Sequence, residues 1–165
     1  MKSTGEVLGM GRDFSTALYK GLISAGYKFK RQGAVLITVA DYDKQEVISI
    51  ASEFEKLGYD IFATQGTGHV LRSNYIAAST IYKLREEYPN IGDYIDEGKI
   101  DIIINTPTKG KLPQRDGFQI RRQAVEYSIP CFTSLDTAKA FLNSLKLYIG
   151  GENEENIEIF ELEEI

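Results

Sequence analysis

The chain has 165 residues, 42% hydrophobic and 26% charged, a length and composition that suit one domain with a sizeable core. A formal net charge of -5 argues against general nucleic-acid binding, and no apolar run reaches the about 18 residues of a membrane span. The single cysteine, Cys131, excludes an internal disulfide and disfavours a cysteine-rich metal site; within Ile129-Pro130-Cys131-Phe132 it reads as strand filling rather than as a nucleophile.

In chain order, the first 30 residues open with a glycine-rich stretch from Ser3 to Gly11. They continue in a helix from about Asp13 to Ser24, with Phe14, Ala17, Leu18 and Leu22 on one face, and read as a connector. No secretory signal is visible at the amino terminus, so a cytoplasmic location is expected. From residue 33 short β-rich runs alternate with helical patterns, the signature of a parallel α/β sheet. Gly33 to Ala40 is a nearly continuous apolar strand of the kind buried on both faces. Val47, Ile50, Ala51, Phe54 and Leu57 then recur at helical spacing, with Asp43 as the expected cap and Gly58 as the stop.

A second strand is expected over Tyr59 to Thr64, followed by the glycine turn Gln65-Gly66-Thr67-Gly68 and a short helix from Val70 to Asn74. A third strand is expected over Ser79 to Lys83, a helix over Ile91 to Glu97 ending at Gly98, and a fourth strand over Asp101 to Asn105. After a polar loop, Pro107 to Gln114, the pattern gives a helix over Gly117 to Tyr127, with Ile120, Ala124 and Tyr127 on one face. A fifth strand over Ile129 to Thr133 and a helix over Leu135 to Tyr148, with Ser134 as N-cap, complete it. The acidic end GGENEENIEIFELEEI reads as a solvated tail, with Ile157, Ile159 and Phe160 to Leu162 as an alternative edge strand. The expected fold is a three-layer α/β/α sandwich around a five-stranded, mainly parallel, Rossmann-like sheet. Residues 1–30 form the connector, 31–148 the principal domain and 149–165 the tail.

Ligands of open parallel sheets bind at the carboxyl ends of the strands. Those ends carry Thr38 with Asp41, Asp43 and Lys44 beyond it, then Thr64, Gly66 and Thr67, then Lys83, then Asn105, Thr106 and Thr108. Hydroxyls and an amide can donate to phosphate oxygens, and Lys44 and Lys83 supply charge to neutralise them. A glycine-rich turn entering a helix adds free backbone N–H groups. Together they point to a phosphorylated small molecule.

The stretches LITVADYDK, YDIFATQGTGHVL, IDIIINTPTKG and DGFQIRRQAVEYSIP, in that order, resemble the methylglyoxal-synthase-like regulatory domain at the carboxyl end of the carbamoyl-phosphate synthase large subunit. STGEVLGMGRDFSTALYKGLISAG resembles the segment joining that domain to the second ATP-grasp half, so the likeness covers residues 2 to 148. It implies a regulatory piece of a larger ligase, with UMP or IMP as effector and the synthetase remainder and glutaminase subunit as partners. The parent's ATP and magnesium would bind outside this chain, which itself would carry no cofactor, catalytic residue or metal. It further implies that Thr38, Lys44, Thr64, Gly66, Thr67, Lys83, Asn105, Thr106 and Thr108 line the nucleotide site, with Asp116 and Ile120 at the base or ribose. Pro107 interrupts the family's Asn-Thr-Thr pattern and leaves the choice between Thr106 and Thr108 open. Phe132 stands where members that bind ornithine carry an acid, which counts against ornithine control.

Two other readings remain. Methylglyoxal synthase, which resembles this domain, eliminates phosphate from dihydroxyacetone phosphate with an aspartate after the third strand and a histidine beyond the fourth. This chain has Arg85 to Asn90 and Asn105-Thr106-Pro107 there, and its one histidine is His69 in the glycine turn. Glu86 or Glu87 would be the base available to such chemistry. An oligomerisation module is the third reading and is compatible with ligand binding.

Overall fold

A computed structural model describes residues 7–108 and 116–150. The chain divides into two compact units, one holding the described residues up to Arg31 and from Ala140 onward, the other Gln32–Lys139.

The second unit contains a five-stranded sheet in the order β3-β2-β1-β4-β5, formed by β1 (Ala34–Thr38), β2 (Asp60–Ala63), β3 (Ala78–Thr80), β4 (Ile102–Asn105) and β5 (Cys131–Phe132). Every pairing is parallel; Leu36 sits between Phe62 and Ile103, and Thr38 beside Asn105. Chain order reverses between β1 and β4, so the sheet has a switch point there, opening at its carboxyl edge. Both faces of the central strands are covered, as the apolar runs predict: Val35, Leu36, Ile37, Ile103 and Ile104 are fully buried. Leu36 and Ile103 pack with Ile91 and Ile95 of α4 (Ile91–Asp96) and Ile120 and Ala124 of α5 (Asp116–Glu126). By strand alternation Ala63 faces the other way, where it lies against Gly68 of α3 (Gln65–Ser73). There α3 packs beside α2 (Val47–Lys56), whose buried Val47, Ile50, Ala51 and Phe54 form the periodic face read from the sequence. Gly58, at φ +80°, follows α2 as expected.

Several boundaries differ from the sequence reading. Asp43 does not cap α2: Asp41–Asp43 form a 3-10 turn, and α2 starts after Glu46, which makes no side-chain cap bond. The glycines at 66 and 68 belong to a helix rather than to a turn before it. Helix α3 begins at Gln65, five residues earlier than the sequence alone predicts. Close packing overrides glycine's poor helix propensity, since a Cβ on Gly68 would lie 3.6 Å from the Ala63 Cβ and 2.9 Å from an Arg72 nitrogen. Strand β3 ends at Thr80, not Lys83, because β2 ends at its partner Ala63; Tyr82 instead bridges to Asn90. Strand β5 shrinks to Cys131–Phe132, since Pro130 has no N–H and the Ile129 N–H closes back on the Ala124 carbonyl. Helix α5 starts one residue early, and the last helix, α6 (Leu135–Gly150), runs two residues beyond Tyr148. The loop residues 109–115 and the expected tail or edge strand from residue 151 lie outside the described residues.

In the first unit α1 (Phe14–Ser24) is capped by Asp13, whose carboxylate accepts from the Thr16 N–H at 2.9 Å. Tyr19, Phe29, Phe141 and Tyr148 form an aromatic cluster, with Phe29 and Phe141 stacked at 5.4 Å. Gly9 lies so close to α1 that a Cβ there would stand 2.1 Å from the Ala17 carbonyl oxygen. The segment read as a connector therefore packs tightly within its own unit.

Candidate functional site

The carboxyl ends of β1, β2 and β4 bring one set of polar groups together. Thr64 is extended and precedes α3, and its hydroxyl makes no cap bond. The first intrahelical bond of α3 runs from the Gly68 N–H to the Thr64 carbonyl at 2.8 Å. Among the described residues the N–H groups of Gln65, Gly66 and Thr67 have no acceptor, as the first turn of a helix dictates. The Lys44 ammonium reaches this turn: a Cβ on Gly66 would lie 3.0 Å from it. Glycine at 66 thus leaves the lysine room to approach the positive end of the helix, an arrangement that favours an anion between them.

Buried hydroxyls surround this turn. Thr67, only 2% exposed, accepts from the Val39 N–H at 3.5 Å, and the Thr64 hydroxyl donates to that of Thr38 at 3.5 Å. Asn105, 3% exposed, donates through Nδ2 to the Thr38 carbonyl at 3.4 Å and accepts from Arg121 at 2.6 Å. Thr106 is buried and accepts from the Ala40 N–H at 2.9 Å, which braces the end of β4 against the chain leaving β1. Tyr42 adds a second brace by donating to the Pro107 carbonyl at 2.7 Å. Lys44 pairs with the exposed Asp41 at 2.6 Å, and that hydrogen bond, with the lysine's charge behind it, holds the Asp41 carboxyl below its usual range.

The remaining sequence-derived residues lie apart from this set or serve the core. Lys83 is exposed beyond β3 and its side chain makes no hydrogen bond or ion pair among the described residues; only its backbone is engaged, its N–H donating to the Glu86 carboxylate and its carbonyl accepting from the Glu86 N–H, both at 2.9 Å. Thr108 is exposed, and Asp116 is the half-buried first residue of α5. Ile120 is 1% exposed within the core layer beneath α4 and α5. Sequence reasoning missed Arg121; the available signal is Gly117 four residues earlier, which puts a gap and a guanidinium on one helix face. Arg72 was also missed: it donates to the Ala78 carbonyl at 3.0 Å and the Thr80 hydroxyl at 2.8 Å, tying α3 to β3. Beside it a groove of about 660 Å³ is lined by Gln65, Tyr82, Glu86 and Glu87, so it opens directly from the start of α3.

Burial pushes the Cys131 thiol up to about 11 against the pull of the Arg121 charge, which leaves it a poor nucleophile at neutral pH. His69 is exposed on α3. Among the described residues no group of His, Cys, Asp or Glu side chains is placed to hold a metal ion, and no helix is long and apolar enough to cross a membrane.

The sequence profile of the MGS-like domain matches residues 46–133, from the start of α2 through β5. The chain belongs to the MGS-like domain family. Thr38 and Lys44 lie just ahead of the matched span, while the α3 turn, Asn105 and Arg121 lie within it. A crystal structure of methylglyoxal synthase from Elizabethkingia anophelis NUHP1 resembles the chain with a TM-score of 0.56 and 18% identity, over 69% of this chain and 79% of that one. At that identity the likeness establishes the five-stranded MGS-like fold.

Proposed function

We propose that this MGS-like domain is the effector-binding regulatory domain of a carbamoyl-phosphate synthase and takes UMP or IMP through its phosphate. The observation that carries the binding half of this reading is the Lys44 ammonium held against Gly66 at the open first turn of α3. Charge and free N–H donors there suit a phosphate, and the buried hydroxyls of Thr64 and Thr67, the half-buried hydroxyl of Thr38 and the Asn105 amide surround it. The regulatory half rests on the ordered sequence motifs around these residues. The chain on its own is then a binder rather than a catalyst, without cofactor or metal, working in the cytoplasm beside the synthetase portion of its parent. An effector acts there only by preferring one of two states, typically by ~1–3 kcal/mol.

Lyase chemistry on dihydroxyacetone phosphate is the rival, favoured by the fold shared with methylglyoxal synthase. Against it, His69 is exposed on α3 rather than beyond β4, and the segment after β3 offers the exposed Glu86 and Glu87 in place of an aspartate. Calorimetric titration with UMP, IMP and dihydroxyacetone phosphate in parallel, with an assay for released phosphate, decides between them. Saturable nucleotide binding without turnover is the expected result. Phosphate release that survives repurification and disappears in Glu86→Gln or Glu87→Gln would overturn it, as would the absence of any nucleotide binding.

A further inference from the structure

Asn105 stands beside the switch point with an amide that presents an acceptor on one side and a donor on the other. Which side faces the ends of β1 and α3 decides whether Asn105 attracts or repels an anion. Arg121 supplies the answer, because a guanidinium only donates. It lies 2.6 Å from Oδ1 and so turns that oxygen toward α5, while Nδ2 lies 3.4 Å from the Thr38 carbonyl. Nδ2 carries two hydrogens, and among the described residues the Thr38 carbonyl is its one acceptor. Gly117 makes the arrangement sterically feasible: a Cβ there would stand 3.2 Å from Oδ1 and 3.3 Å from the Arg121 nitrogen, wedging the pair apart.

We propose that Arg121 is a positioning residue for the effector site: held in the gap left by Gly117, it locks the buried Asn105 amide so that Nδ2 is available to an anionic ligand. This rests on the phosphate-binding reading above. Without Arg121 only the long 3.4 Å bond from Nδ2 to the Thr38 carbonyl opposes a flip that would present the amide oxygen to the anion.

The test has two arms. Without ligand, the Asn105 side-chain amide protons in a nitrogen-15 spectrum of the whole chain should be well separated and slow to exchange. In Arg121→Met and Gly117→Ala they should broaden or exchange faster, with partial recovery in Arg121→Lys. With UMP, Arg121→Met should weaken binding about ten-fold, in line with the loss of one charge-assisted bond. In an Asn105→Ala background the same substitution should cost nothing further. Unchanged Asn105 amide signals, or an equal loss in the Asn105→Ala background, would overturn the role given to Arg121. Should the wild-type chain bind neither UMP, IMP nor inorganic phosphate, the effector reading fails, while the unliganded spectra still decide whether Arg121 locks Asn105.

Discussion

The two ends of the sheet are built differently. At the amino edge, the Ala34 N–H donates to the Asp101 carboxylate at 2.8 Å, the Asp101 N–H to the Ala34 carbonyl at 2.9 Å, and the Asp60 N–H to the Gly33 carbonyl at 2.9 Å. These bonds are of ordinary length and close the edge on itself. At the carboxyl edge, the bonds among Thr38, Thr64, Thr67, Val39 and Asn105 stretch to 3.4–3.5 Å. The first N–H groups of α3 there have no acceptor among the described residues. One edge thus uses its polar groups for stability, while the other keeps donors in reserve beside a lysine. Buried donors with weak partners are what an incoming anion can satisfy.

The largest effect should come from the reserved edge. Lys44→Ala removes a charge-assisted bond to phosphate, worth about 1.5–3 kcal/mol, so nucleotide affinity measured by calorimetry should fall about ten- to a hundred-fold. Lys83 sharpens the contrast. The sequence gives it the same role, but the structure leaves it exposed on the chain after β3, so Lys83→Ala should weaken binding less than Lys44→Ala and respond more to added salt. Equal losses in the two variants would place the phosphate near Lys83 and break the assignment to the α3 turn.

The closed edge should show the opposite pattern. Asp101→Ala leaves the Ala34 N–H without that acceptor, a loss of about 1–3 kcal/mol in stability, readable as a lower denaturation midpoint. Nucleotide affinity of the folded variant should not change. A joint loss of stability and affinity would show that the two edges are coupled through β1 and β4, contrary to the separation drawn here.

The architecture was legible because β1 and β4 are continuous apolar runs and α2 has a clean helical period, signals that come from burial itself. The set Thr38, Lys44, Thr64, Gly66, Thr67 and Asn105 was legible because strand ends can be counted along the chain. What escaped depended on contacts between distant segments. The helical state of Gly66 to Gly68 follows from packing on Ala63, and the early end of β3 follows from where β2 stops. Arg121 escaped for the same reason, since its partner Asn105 belongs to another element.

The smallest predicted effect has the opposite sign. Asp41 holds the Lys44 ammonium at 2.6 Å while its own carboxylate is almost wholly exposed. A phosphate arriving at α3 must therefore compete with Asp41 for the same cation. Asp41 is exposed and solvent screens the pair, so the competition is weak. Asp41→Asn removes the competitor and one nearby negative charge together, and should tighten nucleotide binding by up to about five-fold. The gain should shrink as salt rises, because screening already weakens the Asp41–Lys44 pair. In a Lys44→Ala background the gain should fall to the small remainder due to charge repulsion alone. Weaker binding in Asp41→Asn would mean instead that Asp41 steers Lys44 toward Gly66, making the pair a support for the site rather than its rival.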